Sequence, residues 1–200
     1  QKILGLLALH LKEDRKFSGG MVKTIAGTTM MDHIADYLGI KLYETPVGFK
    51  YISKLMEEED ILVGGEEAGG MGFKNYIPER DGTLAGLLLA EMMAYRNKSM
   101  GKILQEMEAK FGKYFYLRAD LKLKSGQKMK DVNTIRPKKL LDSKVVKITD
   151  IDGIKLFCQD ESWLMLRPSG TEPLMRIYAE AKSLEQSARI LELGKALVLK

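Results

Sequence analysis

The spacing of hydrophobic positions changes partway along the chain and divides it in two. In the first part, apolar helical faces alternate with short apolar strands. Residues 2–14 predict a largely buried helix, and Gly20–Ala26 a strand. Thr28 or Thr29 can cap a helix running to Leu38, which Gly39 ends. A short strand follows at Ile40–Tyr43, a helix at Phe49–Glu58, a strand at Ile61–Val63 and a loop from Gly64 to Glu79. Asp81 then caps a helix through Ala94, and Ser99 another through Phe111. This repeated strand–helix order predicts a three-layer α/β domain with a mainly parallel sheet over residues 1–112.

Beyond that point period-two alternation takes over. Tyr114–Leu123, Lys144–Thr149, Ile154–Cys158, Trp163–Leu166 and Leu174–Glu180 predict strands, with a polar helix interrupted by Pro137 after the first. Ser183 caps a closing helix, Leu184–Leu199. Short turns such as Asp152-Gly153 and Asp160-Glu161 imply an antiparallel sheet. Residues 113–200 are therefore expected to form a smaller α+β domain with helices on one face, the boundary falling near 111–120.

Composition narrows the class. At 45% hydrophobic and 30% charged, the 200 residues can bury a real core. No stretch reads as a membrane span, and the apolar start lacks the cleavage pattern of a signal peptide. One cysteine, Cys158, excludes an internal disulfide and suits a reducing, cytoplasmic setting; as a buried small hydrophobe it fits better than as a nucleophile. A net charge of +5 spread over scattered lysines, without interleaved stacking aromatics, argues against nucleic acid. The chain enters a helix at once from Gln1, which gives the expectation of a piece cut from something longer.

Candidate chemistry gathers in three segments. In Arg167-Pro168-Ser169-Gly170-Thr171-Glu172-Pro173 a guanidinium fork, two hydroxyls and a flexible glycine could hold a phosphate, with Arg176 a second charge at strand spacing. A plain hairpin whose hydroxyls satisfy the backbone is the alternative. Gly64-Gly65-Glu66-Glu67-Ala68-Gly69-Gly70 follows a strand but lacks the lysine and hydroxyl of a nucleotide phosphate loop. Its paired carboxylates suit vicinal sugar hydroxyls; a metal site or a solvated loop would also fit. Gly48 opens a helix with Lys50 in its first turn, where a cation gains nothing from the dipole, so Lys50 could serve a ligand's anion or simply snorkel at the surface. His10 and His33 read as structural helix residues, and Met30, Met31, Met92 and Met93 as core filling.

Together these segments resemble the α-D-phosphohexomutases, the phosphoglucomutase and phosphomannomutase relatives. Arg167–Pro173 is similar to the phosphate loop of that family's fourth domain, and Gly65–Gly69 to the sugar-reading loop of its third. Thr45–Ile52 and Arg80-Asp81-Gly82 also match third-domain segments. The resemblance implies a sugar-binding set of Gly65, Glu66, Glu67, Ala68 and Lys50, and a phosphate-binding set of Arg167, Ser169, Gly170, Thr171 and Arg176.

It further implies interconversion of hexose 1-phosphate and hexose 6-phosphate through a phosphoserine, Mg2+ and a hexose bisphosphate intermediate. The family's serine lies in its first domain and its metal loop in the second. Neither a Ser-His-Asn-Pro segment nor an Asp-Gly-Asp repeat occurs here, so no catalytic or metal residue is expected, and the partner is the missing N-terminal pair of domains. Many relatives carry serine where this chain has Ala68. The Glu-Glu-Ala-Gly-Gly form resembles glucose- and mannose-type mutases more than the glucosamine type. The rival expectation is a stand-alone sugar-phosphate-binding or regulatory module without catalysis.

Overall fold

A computed structural model describes residues 1–122, 130–169, 172 and 174–199. They fall into two compact units, Gln1–Lys113 and Tyr114–Lys200.

In the first unit α1 (Lys2–Leu9) runs on into a π-helical turn, His10–Asp14. Then come β1 (Gly20–Thr24), α2 (Met30–Leu38), β2 (Leu42–Thr45), α3 (Phe49–Glu58), β3 (Ile61–Gly65), β4 (Met71–Phe73), α4 (Gly82–Arg96) and α5 (Met100–Phe111). The sheet order is β2-β1-β3-β4, with β1 parallel to both neighbours and β4 antiparallel to β3. The strand β4 lies inside what the sequence predicts as loop. Every residue of β1 and β3 is buried, as strands covered on both faces must be.

Helix ends follow local chemistry. The Asp81 carboxylate accepts from Leu84 N at 2.8 Å, Thr28 Oγ1 accepts from Met30 N at 3.2 Å, and Gly39 leaves α2 in the left-handed conformation. His10 is fully buried, Nδ1 2.8 Å from Asp14 and Nε2 3.2 Å from Glu91, so it ties α1 to α4. Its carboxylate partner at i+4 is a contact the sequence reading overlooked. Met30, Met31 and Met92 fill the core, but Met93 is 37% exposed on the outer side of α4, against expectation.

The second unit contains β5 (Phe115–Lys122), β6 (Lys139–Leu140), β7 (Ser143–Thr149), β8 (Ile154–Cys158), β9 (Trp163–Pro168), β10 (Leu174–Ala181) and α6 (Leu184–Val198). Its sheet is antiparallel throughout, in the order β5-β10-β9-β8-β7-β6. The expected polar helix falls partly on 123–129, outside the described residues; after it only a 3-10 turn forms, Val132–Thr134, started by Asp131.

Alternation sorts the two sheet faces. Ile154, Leu156, Leu164, Leu166 and Ile177 pack with Ile190, Leu191 and Val198 of α6. Each such side chain contributes about 1.5–3 kcal/mol on burial. The opposite face carries Trp163, Lys155, Tyr178, Arg167 and Arg176, and there the Trp163 indole donates to Glu180 at 2.8 Å. Cys158 is buried, and burial pushes its thiol pKa up, which suits packing rather than nucleophilic chemistry.

Candidate functional site

In the first unit, parallel pairing sets β1, β2 and β3 running the same way, so their carboxyl ends share one sheet edge. Loops leaving such an edge are where α/β sheets bind ligands. Thr24 and Thr45 are register partners there, and Lys23 pairs with Gly65. The chain leaves β3, turns through Glu66–Gly70 and returns as β4. Glu66 N donates to Gly70 O at 2.9 Å, and Gly69 N to Glu66 O at 3.1 Å. A Cβ on Gly70 would lie 2.9 Å from Glu66 Oε2 and 2.6 Å from Arg80 Cδ, so any larger residue would have to push these two side chains aside.

The two carboxylates have different surroundings. Glu67 accepts from Thr24 Oγ1 at 2.8 Å. Glu66 is 13% exposed with Arg80 Nη1 at 3.8 Å. Burial first, then the charge of Glu67, raises the Glu66 pKa above its ordinary value, Arg80 opposing them. Arg80 lies over the Phe49 ring at 5.6 Å and pairs with Glu79. Ala68 is exposed at the loop tip. Lys50 stands in the first turn of α3, exposed, its Nζ 4.9 Å from the Tyr51 ring centre. The loop thus brings Gly65, Glu66, Glu67 and Ala68 together with Thr24 and Arg80, which the sequence did not single out as site residues. Both arrive by tertiary packing, Thr24 from a strand 43 positions away from Glu67.

In the second unit the register sets the charges. Arg176 on β10 is the direct partner of Arg167 on β9 and of Asp120 on β5, giving a row across three strands. Two like charges opposite one another are unfavourable unless something compensates. Asp152 accepts from Arg167 Nε at 2.7 Å. Asp120 takes a two-pronged pair from Arg118, at 2.9 and 2.8 Å, which lowers its pKa, with Arg176 adding to the effect. The Nε of Arg176 is buried without a hydrogen-bond partner among the described residues. Ser169 N donates to Leu174 O at 2.9 Å, and Ser169 Oγ accepts from Glu172 N at 3.3 Å, so this hydroxyl helps hold the turn. Gly170, Thr171 and Pro173 lie outside the described residues.

The description "Phosphoglucomutase/phosphomannomutase, alpha/beta/alpha domain III" matches residues 1–111, and the C-terminal domain of the same family matches 102–193. The chain belongs to this family. It carries the third and fourth domains of the phosphohexomutase plan.

A phosphoglucomutase/phosphomannomutase of Thermococcus kodakarensis is 32% identical over 92% of this chain and 39% of its own length. A phosphoglucosamine mutase of Bacillus pumilus is 30% identical over 92% and 38%. A Thermus thermophilus crystal structure provisionally named phosphomannomutase superposes with a TM-score of 0.80 at 32% identity, over 98% of this chain and 40% of that one. The chain therefore spans about two fifths of the length of these relatives.

Among the described residues, no three His, Cys, Asp or Glu side chains gather as metal ligands, and Asp152 is engaged by Arg167. The described residues thus do not fit a magnesium ion. No helix among them is long and apolar enough to cross a membrane.

Proposed function

We propose that this chain is the substrate-binding half of a phosphohexomutase, exchanging hexose 1-phosphate and hexose 6-phosphate of the glucose or mannose type. The carrying observation is the cross-strand arginine pair beside Ser169, in a chain matched throughout by the family's last two domains. The second unit grips a phosphate through Arg167 and Arg176, joined by Ser169, Gly170 and Thr171. The first unit reads ring hydroxyls through Glu66 and Glu67, the Gly65 and Ala68 backbone approaching the sugar and Lys50 steering its charge. Carboxylates accept from vicinal hydroxyls, and the two carboxylates tolerate more than one ring orientation.

Neither a phosphorylatable serine of the family's kind nor its aspartate-rich metal loop occurs in these residues, so the phosphoryl transfer belongs to segments outside them. What this half supplies is binding energy remote from the reacting phosphate, realised as transition-state stabilisation in the whole enzyme. Titration with glucose 6-phosphate should give weak, salt-sensitive binding that Arg167→Ala abolishes. In a coupled assay these 200 residues alone should not turn over. Sustained mutase activity, or binding indifferent to Arg167, defeats the reading.

A further inference from the structure

Asp152 lies in the turn between β7 and β8, and its carboxylate reaches the end of β9. Gly153 makes that reach possible. Its φ is +79°, and a Cβ there would sit 2.4 Å from Leu166 O and 2.9 Å from Arg167 Cα. The turn is thus pressed against the backbone of the strand that carries Arg167. Both charged groups are largely shielded, Arg167 at 17% and Asp152 at 21% side-chain exposure, and meet at 2.7 Å. A charge-assisted bond at this depth is worth more than an exposed pair and fixes the guanidinium plane.

We infer that Asp152 is a positioning residue for the phosphate grip. Among the described residues its hydrogen bond to Arg167 runs through Nε, which leaves the terminal Nη donors available to an anion. The inference rests on the reading of Arg167 as a phosphate ligand. Three guanidiniums, of Arg118, Arg167 and Arg176, share this part of the sheet with two carboxylates, of Asp120 and Asp152. By charge alone, a carboxylate beside an anion site weakens binding. As an anchor, it strengthens binding by removing the rotamer freedom that Arg167 would otherwise lose on meeting phosphate. The two roles predict opposite signs.

Two readouts on the whole chain separate them. The Arg167 Nε–Hε resonance, assigned by its loss in Arg167→Lys, should exchange slowly with water in the wild type and in Asp152→Asn, which keeps an acceptor. It should broaden in Asp152→Ala. Inorganic phosphate affinity should fall about tenfold in Asp152→Ala and change by less than about twofold in Asp152→Asn, though both remove the same charge. Asp152→Ser, too short to reach Nε, gives the same readouts should the alanine variant unfold. Equal or tighter phosphate binding by a folded Asp152→Ala, or an unchanged resonance, overturns the inference. A resonance that obeys Asp152 while phosphate affinity ignores Arg167→Ala, which removes the charge that lysine would keep, overturns the phosphate reading, and the positioning role with it.

Discussion

The surroundings of Glu66 disfavour its charged form. Burial and the neighbouring Glu67 raise its pKa above the ordinary 4.5, with Arg80 only partly offsetting them. The folded chain therefore binds this proton more tightly than the unfolded chain does. Stability from the group is full below about pH 4.5 and is lost as pH rises through the folded value. Glu66→Gln should accordingly melt higher than the wild type at neutral pH, the gain shrinking toward zero at pH 4. Thermal melts across that range check it, and a gain independent of pH would assign the effect to something other than charge. A residue that lowers stability where it stands is the pattern of a functional site.

Between elements, packing is tight enough for one methyl group to matter. Gly64 in β3 faces α3, and a Cβ there would lie 2.4 Å from Ile52 Cγ2. Ile52 is itself fully buried and has nowhere to move. Gly64→Ala should cost about 1–3 kcal/mol by overpacking, seen as a lower urea midpoint with an unchanged slope. Gly86 in α4 has nothing within 4 Å of the same added atom. There alanine should stabilise by about 0.5–1 kcal/mol through helix propensity. Equal effects at the two sites would mean that packing is not what distinguishes them.

Elements of this kind were readable where the pattern was long. Phe49–Glu58, Met100–Phe111 and Ile154–Cys158 match the sequence-predicted bounds to the residue, because caps or turn residues flank a sustained period. Met71–Phe73 and Lys139–Leu140 escaped because strands of three and two residues carry no period. The candidate site was only partly suggested by local sequence. Composition and resemblance pointed to Glu66 and Arg167, but Arg80, Thr24 and Asp152 gained their places from register and turn geometry. Strand spacing suggested Arg176 as a second charge, but its direct register with Arg167 comes from the pairing of β9 and β10.

At the scale of the whole molecule, the two units carry different side-chain chemistry, and ligands can separate the roles proposed for them. One holds paired carboxylates on a parallel-sheet edge, the other paired guanidiniums on an antiparallel face. Inorganic phosphate presents only the anion, whereas glucose 6-phosphate presents anion and hydroxyls together. Arg167→Ala should weaken both ligands by about tenfold or more, since each loses a charge-assisted pair. Glu66→Gln should leave inorganic phosphate unchanged and weaken the hexose phosphate about ten- to a hundredfold, the range expected for a hydrogen bond to a charged group. Running the comparison with glucose, mannose and glucosamine 6-phosphates in parallel tests the sugar preference, because all three share the phosphate and differ only at the ring. Substrate type would then appear as a spread of affinities in the wild type that Glu66→Gln narrows. If Glu66→Gln instead weakens inorganic phosphate as much as hexose phosphates, the loop reads charge rather than sugar. The division of labour between the units would then be wrong.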